Sequence, residues 1–138
     1  MIENRSRKLF VNLPVRNLDK TVEFFTKLGF RFNQQFTDEK ATCMIIGEDA
    51  YAMLLVEKFF STFTKKRIAD TATFTETICA FSVSSREEVD QLADTALASG
   101  GSKAMDPQDH GFMYVRSFYD LDGHHWEVMW MDPSTVQS

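Results

Sequence analysis

The residues best suited to chemistry lie in one stretch near the carboxyl end of the sequence, 120–127 (DLDGHHWE). His125 and Glu127 are two residues apart, so on a strand they point to the same face. A carboxylate beside an imidazole can hold a divalent metal ion, act as a general base or form a structural ion pair. The DLDG tetrapeptide is typical of a tight turn, and we expect His124, at the mouth of the strand, to lie on the surface.

A strand-like run at 111–119 precedes that turn and contributes one more charged side chain. Alternation along the run puts Tyr114, Arg116 and Phe118 on one face. If this face meets the face of Glu127, Arg116 would neutralise the carboxylate, or would bind the carboxylate or phosphate of a ligand. Without such a partner, Glu127 is a candidate general base.

The elements that position these residues occur twice in the same order. The first half predicts a strand at 9–15, a helix between Asn17 and Gly29, and strands at 30–36, 41–46 and 51–57. The second half predicts a strand at 78–83, a helix between Ser85 and Gly100, and strands at 102–105, 111–119 and 125–131. The repeat indicates internal duplication. We predict one α+β domain over 1–138, made of βαβββ modules at about 8–57 and 76–131 joined by a connector at 58–75.

This organisation resembles the vicinal-oxygen-chelate superfamily, which includes glyoxalase I, bleomycin-resistance proteins and extradiol dioxygenases. The resemblance rests on the helix segment 17–30 (NLDKTVEFFTKLGF) and on 120–127, which is similar to the family pattern D-x-D-G-x-x-x-E, and it covers about 8–131. Within the superfamily, the chain is most similar to small bacterial proteins labelled predicted lactoylglutathione lyases. The resemblance implies two βαβββ modules that form cupped mixed sheets (the glyoxalase/bleomycin-resistance fold), and a homodimer.

Metal-dependent members of that superfamily place one ligand on each of four strands, typically two His and two Glu. Carried over to this sequence, the four positions fall on Phe10, on Met53 or Leu54, on Ile78 and on Glu127. Three of them hold apolar side chains that cannot ligate a divalent ion. We therefore expect no metal and no other cofactor.

A rebuilt metal site is the alternative to that expectation. It would combine Glu127 with His125 or Glu76, all of which offer oxygen or nitrogen ligands. It would also restore the divalent-metal chemistry of the superfamily, in which a lyase, isomerase or dioxygenase activity uses Glu127 as a catalytic residue.

The resemblance also implies that one side of the first and last strands of each module faces a cavity. The residues that we assign to this ligand pocket are mainly apolar or aromatic, as in most small-molecule sites. They are Phe10, Asn12, Met53, Ile78, Tyr114, Arg116, Phe118, His125 and Met129, with Glu127 as the candidate catalytic residue.

Three functions are compatible with such a pocket. The first is metal-independent binding of a small aromatic or amphipathic molecule, as in bleomycin resistance. The second is the metal-dependent enzyme, lactoylglutathione lyase-like or dioxygenase-like. The third is a non-catalytic interaction protein whose cavity is filled by its own side chains. The missing ligands and the 13 Phe, 3 Tyr and 2 Trp favour the first.

Composition excludes several other classes of protein. The net charge of −5 argues against a nucleic-acid partner, which needs clustered positive charge. No apolar run approaches 18 residues, so we expect no membrane span. The segment 1–14 is too short and too broken for a signal peptide, and we expect a cytoplasmic protein. Cys43 and Cys79 lie far apart in apolar runs and are expected to be buried free thiols.

Overall fold

The computed structural model describes residues 5–135, and the chain divides into two compact units, Met1–Ile68 and Ala69–Ser138. The boundary between them falls inside the predicted connector, 58–75. Each unit contains one mixed sheet with parallel and antiparallel strand pairs. The predicted α+β class is therefore confirmed. Among the described residues the longest helix has 13 residues, and no helix is long and apolar enough to cross a bilayer.

Unit 1 is built on a four-stranded sheet with the order β1-β4-β3-β2. Its elements are β1 (Leu9–Val15), α1 (Leu18–Lys27), β2 (Arg31–Asn33), β3 (Ala41–Ile45), β4 (Ala50–Val56) and a short α2 (Glu57–Phe60). Single turns of 3-10 helix follow β2 and α2, at Gln34–Phe36 and Ser61–Phe63. The pair β1–β4 is parallel and the other pairs are antiparallel. The connector is thus partly helical.

Helix α1 begins and ends where the sequence predicts. The Asn17 side chain accepts a hydrogen bond from the backbone N–H of Lys20, which satisfies one of the free donors of the first turn. Gly29 follows the helix with φ +101°, a left-handed conformation that glycine adopts without strain. The helix buries Phe24 and Phe25, and Phe25 is 0% exposed. This apolar face holds the helix in unit 1.

Unit 2 has a sheet with the order β5-β9-β8-β6, and β7 also pairs with β8. Its elements are β5 (Ile78–Ser82), α3 (Arg86–Ala98), β6 (Ser102–Lys103), β7 (Gln108–Asp109), β8 (Met113–Tyr119) and β9 (His125–Met131). The pair β5–β9 is parallel, and β8–β9 is an antiparallel hairpin. Ser85 caps α3 by accepting from the N–H of Glu88, as predicted. The order of elements therefore matches that of unit 1, with one extra short strand.

The register of unit 2 sorts its side chains onto two faces, because directly opposite residues of neighbouring strands share a face. One face packs against α3 and is called here the α3 face. It carries Cys79, Phe81, Tyr114, Arg116, Phe118, Trp126, Val128 and Trp130. The opposite face is called the His125 face. It carries Ile78, Ala80, Ser82, Ser102, Gln108, Met113, Val115, Ser117, Tyr119, His125, Glu127, Met129 and Met131.

Arg86, at the start of α3, binds Asp109 of strand β7 on the α3 face. The Arg86 guanidinium donates two hydrogen bonds of 2.9 Å to the Asp109 carboxylate and lies over the rings of Tyr114 and Trp130, at 5.2 and 5.0 Å from their centroids. Arg86, together with the N–H of Gly111, lowers the pKa of Asp109 to about 2. A carboxyl with a lowered folded-state pKa stabilises the fold above its ordinary pKa. This contribution is lost as the pH falls from about 4 towards about 2.

Replacing Arg86 with glutamine is expected to raise the pKa of Asp109 from about 2 towards its ordinary value, since the largest cause of the lowering disappears while the Gly111 bond remains. Carbon NMR of the Asp109 carboxyl over a pH titration measures this midpoint. The matched control is Lys27→Gln, which removes an exposed cation of unit 1 that pairs with Glu23. A midpoint that stays near 2 in the Arg86 variant would contradict this account of the pair.

Candidate functional site

Asp120 organises the turn that leads into β9. Its carboxylate accepts hydrogen bonds from the backbone N–H groups of Asp122 (2.9 Å) and His124 (3.0 Å), and from the indole N–H of Trp126 (2.9 Å). Asp120 is 5% exposed, and burial raises the pKa of its carboxyl above the ordinary value. This buried acceptor fixes the turn and therefore the point at which β9 begins.

His124 is buried, so the expectation that it lies on the surface is wrong. The residue is 2% exposed, and its Nδ1 lies 2.6 Å from Oε1 of Glu76. The Thr71 hydroxyl donates to the carbonyl of Asp122, so the segment 69–76 crosses over the turn. Gly123, with φ +80°, allows this close approach, because a Cβ there would lie 2.5 Å from Oγ1 of Thr71. The buried position of His124 therefore comes from an irregular segment that strand patterning does not predict.

His125 and Glu127 lie on the His125 face, two residues apart as predicted. His125 is 8% exposed, its ring packs edge-on against Tyr119 at 5.4 Å, and its buried Nε2 has no hydrogen-bond partner among residues 5–135. Glu127 is half-buried, and within the same range its carboxylate makes no hydrogen bond and no ion pair. Buried polar groups are almost always hydrogen-bonded, so the buried Nε2 of His125 needs an explanation.

Arg116 does not share this face, which corrects the predicted grouping. Its Nη1 lies 3.0 Å from Oδ1 of Asp90 and 2.9 Å from Oδ1 of Asp94, both on α3. Arg116 is directly opposite Val128, whereas the residue opposite Glu127 is Ser117. Arg116 is therefore a structural link between β8 and α3 and cannot neutralise Glu127.

Tyr114 and Phe118, also assigned to the pocket from the sequence, belong to the α3 face as well. The Tyr114 hydroxyl donates to Asp90 at 2.6 Å, and this bond is the largest cause of the lowered pKa of Asp90. Phe118 is 0% exposed, opposite Trp126. These two side chains belong to the packing between the sheet and its helix. Ile78 and Met129 do lie with His125 on the His125 face.

The three pocket residues assigned to the first module share one face of the sheet of unit 1. Phe10 is directly opposite Tyr51, and Asn12 is opposite Met53, in the parallel pair β1–β4. The rings of Phe10 and Tyr51 stack with centroids 4.9 Å apart, and Phe10 is still 46% exposed. The Asn12 amide donates to the carbonyl of Phe10 at 3.2 Å. This face therefore offers a partly exposed aromatic surface with one amide.

The residues at the four family ligand positions do not fit a divalent metal ion. Phe10 and Ile78 have no donor atom, Met53 offers only a soft thioether, and Glu127 is a single carboxylate. Among residues 5–135, no three His, Cys, Asp or Glu side chains are grouped so that they could hold a metal. Of the rebuilt set, Glu76 pairs with His124, while His125 and Glu127 share a face but are only two ligands.

Sequence reasoning did not assign the β8 residues of the His125 face, of which Ser117 and Tyr119 lie opposite Glu127 and His125. The positions of Ser117 and Tyr119 on this face follow from the pairing across the turn. Tyr119 and His125 flank the turn 120–124 and form its closing pair, so they must share a face. Counting back by two from Tyr119 gives Ser117 and Val115, not the even-numbered set that was assigned to the pocket.

Comparisons with solved structures agree with this architecture. The hypothetical protein SA1046 from Staphylococcus aureus is 29% identical, covers 94% of this chain and 95% of its own, and superposes with a TM-score of 0.76. A glyoxalase-related enzyme from Fulvimarina pelagi is 15% identical, with coverages of 91% and 88% and a TM-score of 0.76. The fosfomycin resistance protein FosX from Listeria monocytogenes is 21% identical, with coverages of 100% and 96% and a TM-score of 0.65.

The search of curated protein sequences found no match. A family comparison is more informative, because it spans nearly the whole chain. The profile of the Glyoxalase/Bleomycin resistance protein/Dioxygenase superfamily matches residues 9–128, which include both βαβββ arrangements. The chain therefore belongs to the Glyoxalase/Bleomycin resistance protein/Dioxygenase superfamily.

Proposed function

We propose that this protein binds a small amphipathic molecule on the His125 face of unit 2, without a resident metal ion. The observation that carries the proposal is a pair of polar groups, His125 Nε2 and the Glu127 carboxylate, that have no partner among residues 5–135 and share a face with apolar side chains such as Ile78 and Met129. A few placed polar groups in apolar surroundings are the usual composition of a small-molecule site.

The strand at the edge of this face leaves room for a ligand. Ile78 is 50% exposed, and Ala80 and Ser82 of the same strand are exposed as well. Ala80 is directly opposite Glu127, about 4.8 Å away across the strand pair. A ligand that covers β5 would therefore reach the Glu127 carboxylate while it buries apolar surface.

The absence of a resident metal is supported by the ligand positions, three of which carry no oxygen or nitrogen donor. Protein expressed with Ni, Zn, Fe and Mn available, and purified without chelator, is expected to hold well below one metal per chain. Elemental analysis measures this ratio. A value near one metal per chain would overturn this part of the proposal and favour the metal-dependent enzyme.

Ligand binding is tested by thermal shift with naphthalene derivatives as probes. A probe at ten times its Kd stabilises the folded protein by about 1.4 kcal/mol, which corresponds to a rise of about 5 °C in Tm. Ala80→Trp is expected to abolish this rise, because the indole covers the strand opposite Glu127. Ala98→Trp, on an exposed position of α3, is the matched control and should leave it intact. Equal shifts in both variants would place binding elsewhere.

A further inference from the structure

The His125 face carries one negatively charged side chain and no positively charged one. Among the residues that the register assigns to it, Glu127 is the only carboxylate, and none is lysine or arginine. Its remaining polar side chains, those of Ser, Gln, Tyr and His, carry no fixed charge. A half-buried carboxylate on such a face retains only part of its hydration, and no cation within the described part of the chain compensates for this. The face therefore attracts positive charge.

Unit 2 has no spare cation to satisfy this carboxylate. Its only lysine and arginine residues are Arg86, Lys103 and Arg116. Each is already held by aspartate at 3.0 Å or less, and the two arginines lie on the opposite side of the sheet. The cations of unit 2 are thus neutralised by aspartates, and none of them pairs with Glu127.

His125 lies on the same face and carries a buried polar atom. With its proton on Nδ1, the imidazole Nε2 accepts a hydrogen bond, and this buried atom has no partner among the described residues. Its Cα lies about 7 Å from that of Glu127 along the strand. The neighbouring strands place two small side chains, Ala80 and Ser117, directly beside Glu127. A compact group with several N–H donors matches this arrangement.

We propose that the ligand of the His125 face carries a protonated amine on an apolar body. The inference rests on the binding function proposed above and adds the chemical class of the ligand. The ammonium group donates to the half-buried Glu127 carboxylate, while the apolar body lies on Ile78 and Met129. Hydrogen bonds to charged groups are stronger than those between neutral groups, so the amine is the main source of selectivity.

The test compares three probes that share one apolar body: 2-naphthylethylamine, 2-naphthylethanol and 2-naphthylacetate. Titration calorimetry at pH 7 measures the three affinities. The wild-type protein is expected to bind the amine about 10- to 100-fold more tightly than the alcohol, and the carboxylate most weakly. Glu127→Gln keeps the size and removes the charge, and it should bring amine and alcohol within about threefold. Glu87→Gln, an exposed carboxylate on α3, should preserve the preference.

A second pair of variants supplies an internal cation in place of the ligand's amine. Ala80→Lys places an ammonium opposite Glu127, and Ala80→Met matches its length without the charge, so any loss of affinity caused by size alone appears equally for all three probes. Ala80→Met should weaken all three probes by a similar factor and so keep the ratio of amine to alcohol affinity, whereas Ala80→Lys should bring that ratio close to one. Both variants change an exposed edge position, so a loss of folding is not the expected cause of either result.

The outcomes separate this inference from the function on which it rests. Alcohol binding with no preference for the amine, or a preference that Glu127→Gln leaves unchanged, overturns the amine inference alone. Failure of all three probes to bind at millimolar concentration overturns the binding function together with it. Preference for the carboxylate probe would show that the face selects anions and would also overturn the inference.

Discussion

Replacing Asp120 with alanine is expected to lower the free energy of unfolding by about 3–5 kcal/mol. The change leaves three donors without their acceptor: the backbone N–H groups of Asp122 and His124 and the indole N–H of Trp126. A buried donor left unsatisfied costs about 1–3 kcal/mol. The penalty of burying the Asp120 carboxylate is removed at the same time, so the total is smaller than the three costs added together.

Urea unfolding followed by tryptophan fluorescence measures this loss, since Trp126 and Trp130 both lie in unit 2. The control is Asp106→Ala, which removes a carboxylate that is 87% exposed and paired only with Lys103. Exposed pairs of this kind contribute little, so its effect should stay below about 1 kcal/mol. If the two variants unfold at the same urea concentration, the turn is not held by Asp120 in the way described.

Replacing Phe25 with alanine is expected to lower stability by about 3–5 kcal/mol, through loss of buried area and the cavity left behind. Phe25 is 0% exposed, and its ring packs edge-on against the rings of Phe24 and Phe30 at 4.9 and 5.9 Å. The complete burial of Phe25 anchors α1 within unit 1. Hydrogen exchange of the β1 and β4 amides reports on this unit directly.

The matched control for that change is Phe36→Ala. Phe36 lies in the 3-10 turn of the same unit and is 54% exposed, so its truncation should cost less than about 1 kcal/mol. Phe25→Leu, which retains most of the volume, should fall between the two. Similar exchange protection in all three variants would mean that α1 is not anchored by this ring.

The order of elements was predictable because the apolar periodicity, the caps and the turn residues agree along the chain. Strand β1 was predicted with its observed bounds, and helix α1 within one residue, from Asn17 and Gly29. The segment predicted as a strand at 30–36 is strand only to Asn33 and then a 3-10 turn. There the Asn33 side chain accepts from the N–H of Gln35 and so favours a turn over a continued ladder.

The candidate site was harder to predict because it depends on which face each residue of β8 occupies. Both faces of that strand contain apolar and polar residues, so alternation does not indicate which is packed on the helix. A shift of one residue exchanges the two faces, and Arg116 was assigned to the wrong one. The buried position of His124 depends on Glu76 and Thr71, which lie some fifty residues earlier in an irregular segment that carries no periodic signal.

The parallel pairing of β5 with β9 also constrains how the chain folds during synthesis. β5 bonds to no other strand along the sheet order, and its partner is the last strand of the unit to be made. In unit 1 the same holds for β1, which can pair only after β4 has been synthesised. Such long-range pairings form slowly because a large loop must close first. Each unit therefore emerges from the ribosome with its first strand unpaired. In unit 2 the polypeptide between Ile78 and His125 must be complete before the face that carries Glu127 exists at all.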